Sequence, residues 1–318
     1  MVTGASAGIG RATAVAFGKR GDRVALLARG EGGLHAACKE VNEAGGKAMP
    51  VAVDVADYDA VDRAASEIEA QLGPIDVWVN NAFTSVFAPF WEIEPEEYHR
   101  VTEVTYHGFV HGTKAALTRM RPRDSGTILQ VSSALAERSV PLQSAYCGAK
   151  HAINGFTSSL RVELLHEASG VRVNVLQMPA LNTPQFSWVR NRLGQQPQPV
   201  PPIYQPQIAA RAVVFASEFP EAKQYWVGGS VVGTLIANRL FPSVLDRYLA
   251  RTGFSSQQTG ESAPKPGVDN LFRELDEAGA GDPGARGRFS RRAKERSIQQ
   301  SVAHGARRLG RTLKAKTS

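Results

Sequence analysis

The sequence predicts an α/β protein in which a parallel sheet is covered by helices on both faces. Three stretches support this: a glycine-rich loop at 3–10 before a helical pattern, an apolar run at 128–131 followed by two serines, and a helix expected from about Tyr146 to His166. Between them, short apolar runs alternate with helical segments, as in sheets whose parallel strands are joined by helices. A chain of 318 residues suffices for one large α/β domain and an extension.

The glycine-rich loop can hold a phosphate. Its glycines allow a tight turn and a close approach of the backbone, and the helix that follows offers free N–H groups and a positive dipole end. By itself such a loop also occurs as a simple turn. The strand before it is reduced to Met1-Val2-Thr3, which we attribute to a start codon assigned too late, with a tolerated truncation as the alternative.

The remaining elements follow from apolar periodicity and from breakers. Gly45-Gly46 and Gly73-Pro74 end two helices, and Glu94-Pro95-Glu96-Glu97 begins one that should run to about Met120. We expect strands at 23–28, 47–53, 75–79, 128–131, 171–178 and 224–227, and helices at 31–44, 58–72, 94–120, 146–166 and 207–217.

Tyr146 and Lys150 are four residues apart and therefore share one face of their helix. A free phenol has a pKa of about 10, and a neighbouring ammonium group should lower it. The pair could then exchange a proton with a substrate hydroxyl or carbonyl near neutral pH. Ser133, where a strand ends, can hydrogen-bond the same substrate oxygen. Tyr and Lys at this spacing also occur in ordinary helices, so the pair needs the other motifs beside it.

Together these stretches resemble the short-chain dehydrogenase/reductase family. The matching parts are TGASAGIG, Asn80-Asn81-Ala82, Ser133 and YCGAK, in the family's order and spacing over roughly residues 1–235. The resemblance implies a Rossmann-type, doubly wound, three-layer fold, a nicotinamide cofactor, and transfer of a hydride between the nicotinamide and the oxygen-bearing carbon of an alcohol or ketone. It also implies the roles of the catalytic residues: Tyr146 as general acid/base, Lys150 holding the ribose, and Ser133 orienting the substrate.

The residue after the second strand should decide the choice of cofactor. An acidic residue there would bind the ribose 2′-hydroxyl of NAD. Here the strand ends in Ala28-Arg29, and a guanidinium can bind a phosphate bidentately. We therefore expect NADP rather than NAD; a solvent-facing arginine is the alternative.

The resemblance places further residues at the cofactor. Asp54 should lie near the adenine, although capping of the next helix is an alternative for which Asp57 competes. Asn80 should support the central strands, and Thr183 should contact the carboxamide or a phosphate. The expected cofactor residues are Thr3, Gly4, Ser6, Gly8, Ile9, Gly10, Arg29, Asp54, Val55, Asn80, Ala82, Tyr146, Lys150, Pro179 and Thr183.

Three residues depart from the family pattern. Phe83 and Ala180 replace glycines, and Thr105 replaces an asparagine expected to hold a water behind the lysine. With the short first strand, they support an alternative in a different class: a nucleotide-binding regulatory or scaffold protein with weak or lost catalysis.

The chain should divide into three parts. Residues 1–232 form the dinucleotide-binding and catalytic domain, in which the Pro- and Gln-rich stretch 184–206 is a substrate lid or a passive linker. Residues 233–252 form a helical extension that could cover the pocket, pack a dimer or lie on a membrane; we favour packing. Residues 253–318 should be largely disordered, with a basic helix at 290–315.

Charge and cysteine content bound the partners. The formal charge is +7, and the last 34 residues hold eleven Lys or Arg against one acid. Cys38 and Cys147 suggest no disulfide, we expect no metal, and no 18-residue apolar run or signal peptide appears, so we expect a cytoplasmic protein. We expect a homo-oligomer that acts on a small carbonyl or alcohol. We do not expect nucleic acid as a partner. Weak contact of the basic tail with a membrane is left open.

Overall fold

The computed structural model describes residues 1–263, 269–275 and 281–317. In chain order its strands are β1 (Val2–Thr3), β2 (Arg23–Ala28), β3 (Lys47–Ala52), β4 (Val77–Asn80), β5 (Val86–Phe87), β6 (Thr127–Ser133), β7 (Arg172–Met178), β8 (Arg190–Asn191), β9 (Gln195–Pro197), β10 (Gln224–Trp226) and β11 (Gln258–Ser262). Its α-helices are α1 (Gly8–Gly18), α2 (Glu31–Glu43), α3 (Tyr58–Leu72), α4 (Pro95–Thr102), α5 (Gly108–Met120), α6 (Ser144–His166), α7 (Pro206–Glu218), α8 (Gly229–Leu240), α9 (Pro242–Thr252) and α10 (Ile298–Thr317).

Within these ranges, seven strands form one parallel sheet in the order β10-β7-β6-β4-β1-β2-β3. The chain winds outward from β1 in one direction and from β4 in the other, so the order reverses between these two strands. Ligands of open α/β sheets bind outside the carboxyl ends of the strands at such a reversal. The glycine-rich loop and Asn80-Asn81-Ala82 both begin there.

The core lies on both faces of the sheet, as a three-layer fold requires. Successive strand residues point to opposite faces, and Leu26 and Leu27 accordingly belong to different apolar clusters. Leu26 packs in a cluster with Phe17 of α1 and Val213 of α7, whereas Leu27 packs in one with residues of α3 and α5. The expected doubly wound Rossmann-type architecture is confirmed.

The helix expected from residue 94 to about 120 is interrupted. A capping box joins Glu94 and Glu97 at the start of α4, and a π-helical turn at Glu103–His107 separates α4 from α5. Thr105 lies inside that turn. Such turns insert an extra residue and are frequent at functional sites.

The expectation of a largely disordered chain after residue 253 is wrong for the described residues. Strand β11 pairs with β9, Leu271 is fully buried in an apolar cluster with Val86 and Val101, and Phe289 packs with Phe186. Few apolar residues occur in this part of the chain, but they are placed where the body offers partners. The expected basic helix is present as α10; residues 264–268, 276–280 and 318 lie outside the description.

None of the helices in the described ranges combines the length and the apolar character needed to cross a membrane.

Candidate active site

The glycine-rich loop is held against the end of β4. Thr3 Oγ1 accepts the N–H groups of Asn81 and Ala82, at 2.9 and 3.1 Å. Gly4 has φ +64°, and a Cβ added there would lie 2.8 Å from Ala82 Cα. Only glycine fits that position, because the backbone conformation and the close approach both exclude a side chain. The loop thus presents bare backbone to the groove beside it, which fits a phosphate group.

A groove of about 160 Å³ lies at this carboxyl edge of the sheet. Most of the residues expected at the cofactor line it, namely Gly4, Ser6, Gly8, Ile9, Arg29, Asp54, Val55, Ala82 and Thr183. The glycine backbone at one end and a guanidinium at the other are the donor set that the phosphates of a dinucleotide require.

Thr3, Gly10 and Asn80 were expected at the cofactor but lie beneath the groove. Asn80 is fully buried: its Oδ1 accepts from Trp78 Nε1 at 2.9 Å, and its Nδ2 donates to Gln130 Oε1 at 2.9 Å. A Cβ on Gly10 would meet Gly4 O at 2.1 Å, so Gly10 serves the packing of α1 against the loop. Their effect on a ligand would be to position the loop.

Asn81 takes the place at the groove that was expected of Asn80. It lines the cavity, and its Nδ2 donates to the carbonyls of Thr3 and Gly4, at 3.0 and 3.3 Å. Successive side chains of a strand point to opposite faces of the sheet, so the neighbours Asn80 and Asn81 point in different directions. A shift of one residue in the expected strand end therefore exchanges their predicted positions.

Arg29 and Asp54 line the groove, but each already has partners. The Arg29 guanidinium donates to the main-chain carbonyls of Asn270 and Leu271, and burial lowers its pKa. Burial acts to raise the pKa of Asp54, but hydrogen bonds from Ala56 N and Arg100 outweigh it and lower the pKa.

The alternative of helix capping falls to Asp57, whose side chain accepts from Ala60 N at 2.9 Å and caps α3.

The C-terminal residues at this groove were missed by sequence reasoning. Asn270, Glu274, Leu275 and Pro283 all line it. The surrounding sequence is rich in Gly, Pro and charged residues, a composition that predicts disorder. The isolated apolar residues Leu271 and Phe289 are the signal that this part of the chain packs against the body.

The three candidate catalytic residues come together at the edge of the sheet. Ser133 ends β6, and its side chain is hydrogen-bonded to Tyr146 in the first turn of α6. One turn further, Lys150 Nζ donates to Val131 O at 2.8 Å and lies 5.6 Å from the centre of the Tyr146 ring. Phe83 meets the Tyr146 ring edge to face, at 5.6 Å between centroids, so the bulky substitute for glycine does narrow this cleft.

The expected electrostatic role of Lys150 is not what the structure shows. Burial raises the pKa of Tyr146, and the opposing contribution comes from the hydrogen bond with Ser133. Burial also lowers the pKa of Lys150 to about 7. A desolvated lysine is only partly charged near neutral pH, so it stabilises a phenolate less than the sequence suggested. Tyr146 remains a protonated hydroxyl at neutral pH.

Thr105 does not reach toward the lysine. Its hydroxyl donates to Thr84 O at 2.9 Å and accepts from Thr84 N at 3.1 Å. The side chain therefore fixes the loop that carries Phe83.

A second, largely apolar cavity of about 480 Å³ adjoins the groove. Ser133, Tyr146 and Lys150 line it, as do Pro179 and the stretch 198–202, so the Pro- and Gln-rich segment covers this space as a lid would. Ile9 and Thr183 line both cavities. The opposite wall comes from α8 and α9, through Val231, Thr234, Ala237, Leu245, Tyr248 and Leu249.

Comparison with known proteins agrees with this geometry. The model of the short chain dehydrogenase family matches residues 1–193. An uncharacterised oxidoreductase of Bacillus subtilis, YxnA, is 32% identical over 283 residues, which cover 88% of this chain and 78% of the relative. The 3-dehydrosphinganine reductase of Danio rerio is 34% identical over 192 residues, and the match spans 59% of this chain and 57% of that protein.

Among solved structures, a metagenomic short-chain oxidoreductase in complex with NADP superposes with a TM-score of 0.59 and 29% identity, covering 71% of this chain and 94% of the other. With Ser133, Tyr146 and Lys150 together at the carboxyl edge of the sheet and the glycine-rich loop beside them, the match over residues 1–193 identifies the chain as a member of the short-chain dehydrogenase family.

Proposed function

We propose that this protein is an NADP(H)-dependent oxidoreductase that interconverts an alcohol and a lipophilic ketone or aldehyde, with Tyr146 as general acid/base. The family uses nicotinamide cofactors for such chemistry. The observation that carries the proposal is that Tyr146 and Ser133 line an apolar cavity which shares lining residues with the cofactor groove. A carbonyl group held there would reach both hydroxyls.

The chain's own residues would manage the substrate oxygen and the proton. When bound, the nicotinamide cofactor supplies the hydride for reduction or accepts it in oxidation. Ser133 would hydrogen-bond the carbonyl oxygen, and Tyr146 Oη would donate its proton to that oxygen. The raised pKa of Tyr146 keeps this proton in place in the free protein at neutral pH. Lys150, near the Tyr146 ring, would hold the ribose hydroxyls and assist reprotonation.

Replacement of Tyr146 tests the assignment. Tyr146→Phe keeps the ring against Phe83 but removes the acid, so turnover of a panel of ketones should fall by at least about 10²-fold. The Kd for NADPH should stay within about twofold. Near-normal turnover would refute the role of Tyr146. Tight cofactor binding by the wild type without turnover of any panel member would favour the alternative, a nucleotide-binding regulatory protein.

The preference for NADP is supported by Arg29 at the groove and by the related NADP complex. A charge-assisted hydrogen bond contributes roughly 1.5–3 kcal/mol, so Arg29→Asp should weaken NADPH binding by at least about tenfold. Binding of NADH, which lacks the 2′-phosphate, should change much less. Equal weakening of both cofactors in calorimetric titrations would show that Arg29 does not recognise the phosphate.

The substrate class is supported by the lining of the larger cavity. Leu135, Val140, Leu181 and Phe186 surround the space beside Ser133. Apolar walls select a substrate by the hydrophobic area it buries. A relative that covers part of the chain is named as a reductase of 3-dehydrosphinganine, which is consistent with a lipophilic carbonyl.

The cellular location and the oligomeric state are also proposed. Cys38 and Cys147 are both buried free thiols, which is in keeping with a cytoplasmic protein. We propose a homo-oligomer as well, and light scattering on the purified protein would show a monomer if that is wrong.

A further inference from the structure

The C-terminal part of the chain lies across the very groups that a cofactor's phosphates would need. We define the C-terminal segment as residues 269–275 and 281–289. The N–H of Gly8, at the start of α1, donates to Gly284 O at 3.1 Å. The Arg29 guanidinium donates to the carbonyls of Asn270 and Leu271. Both ends of the proposed phosphate site are therefore bonded to main-chain carbonyls of one segment.

The segment is held by specific contacts beside the glycine-rich loop. Arg11, whose side chain is only 2% exposed, is bonded through Nη1 and Nη2 to both carboxylate oxygens of Asp282, and Glu40 binds the same guanidinium. Asn182 Oδ1 accepts from Phe289 N at 2.9 Å, and Asn182 O accepts from Gly287 N at 3.1 Å.

Charge pairing that buries a guanidinium restricts geometry strongly, because the fork of Arg11 fits one orientation of a carboxylate. Asp282 is two residues from Gly284, so the Arg11–Asp282 pair directly places the carbonyl that takes the Gly8 N–H.

The space that remains in the groove beside the segment is small. With Glu274, Leu275 and Pro283 in the wall, the groove retains about 160 Å³. Pockets for drug-sized ligands, which are smaller than a dinucleotide, take about 300–1,000 Å³. The nicotinamide end of a dinucleotide would lie toward the adjoining cavity, but its adenosine and phosphates would share this narrow groove with the segment.

We propose that the C-terminal segment is an intramolecular competitor of the cofactor, and that Asp282 is the residue that sets cofactor affinity by holding it in place. The inference rests on the proposed cofactor site. The apparent Kd equals the intrinsic Kd divided by the fraction of molecules whose segment has withdrawn. A substitution that weakens the pairing of Arg11 with Asp282 should therefore tighten cofactor binding without adding a contact to the cofactor.

Substitutions of Asp282 in the full chain test this. Asp282 is partly exposed, so its replacement leaves the core intact. Asp282→Asn should lower the Kd for NADPH by about two- to fivefold, the effect of losing an ion pair near the surface. Asp282→Arg, which repels Arg11, should lower it by about tenfold or more. Glu167→Gln and Glu167→Arg alter an exposed ion pair with Arg121 in the same way and should leave the Kd unchanged.

Hydrogen exchange of the wild type gives a second readout that does not depend on substitution. Addition of NADPH should speed the exchange of the amides at 281–289, because the segment is displaced. Slower exchange there, or a raised Kd in the Asp282 variants, would mean that the segment closes over the bound cofactor, and would overturn the proposal.

The remaining outcomes separate the two levels of inference. Binding of NADPH by the wild type with no change in any Asp282 variant would overturn the competition and leave the oxidoreductase proposal standing. Failure of the wild type and all variants to bind NADPH or NADH would overturn both.

Discussion

The side chain of Lys150 is buried, and its Nζ donates a hydrogen bond to the main-chain carbonyl of Val131. Transfer of a charge from water into such a site is costly, and the group responds by binding its proton less tightly. Its pKa of about 7 is the result. The free protein thus carries a lysine near its midpoint of titration beside a tyrosine that stays neutral.

This shift predicts how stability depends on pH. Lysine in the unfolded chain keeps a pKa of about 10.4, so the unfolded state binds more protons between that value and pH 7. Lys150 therefore costs nothing above about pH 10.4, and its cost grows as the pH falls toward 7. The melting temperature of Lys150→Met should therefore rise relative to that of the wild type as the pH falls from about 10.4 to 7. Below pH 7 the difference should stay constant.

Thermal unfolding at a series of pH values measures the difference. Lys39→Met, which replaces a lysine that is 78% exposed, serves as the control and should show no trend. A constant difference between Lys150→Met and the wild type from pH 7 to 10 would show that the amine is not desolvated as the structure indicates.

At the scale of elements, helices α8 and α9 have two different faces. One lines the apolar cavity through residues such as Ala237 and Leu245, and the other carries exposed side chains that include Leu240 and Val244. Together with the stretch 198–202, the inward face bounds the cavity and would limit the length of a substrate bound there. Selectivity would then depend on elements other than the strand and helix that carry the candidate catalytic residues.

Narrowing of the cavity should discriminate between substrates by length. Ala237→Trp should lower kcat/KM for a long-chain ketone by about tenfold or more, while a short ketone changes little, because only the long chain needs the space that the indole fills. Ala250→Trp, on an exposed position of α9, provides the matched control. Equal losses for short and long ketones would show that α8 does not bound the substrate.

At the scale of the whole molecule, the C-terminal residues belong to the folded body. Leu271 is fully buried in the cluster that contains Val86 and Val101, whereas its neighbour Phe272 is 48% exposed. Burial of a leucine side chain is worth about 2 kcal/mol or more, which contributes to holding a segment that has little secondary structure of its own.

A pair of adjacent substitutions tests this integration. Leu271→Ala should lower the free energy of unfolding by about 2–5 kcal/mol, as cavity-forming substitutions do. Phe272→Ala should cost much less, within about 1 kcal/mol. Both are measured by denaturant unfolding of the full chain. A negligible effect of Leu271→Ala would show that the residues after 253 are independent of the domain, as the sequence had suggested.

The sequence by itself determined the α/β architecture and most of the arrangement of the candidate catalytic residues. Strand β2, helix α3 and the helix of Tyr146 and Lys150 are local patterns: apolar period, breakers and spacing act within a few residues of one another. The glycine-rich loop is equally local, since Gly4 is required by its own backbone angle and by one close neighbour. From the order of these motifs along the chain, Ser133 and Tyr146 were expected to lie close together, and they do.

Only the tertiary structure decided what surrounds those groups. Asn81 rather than Asn80 faces the groove, Lys150 is desolvated, and Arg29 is bonded to carbonyls from residues 270 and 271, more than 200 positions along the chain. The physical reason is that burial and long-range partners set pKa values and free donors, and neither is written in the spacing of nearby residues. The docking of Leu271 and Asp282 depends likewise on sites that exist only once the sheet and its helices are assembled.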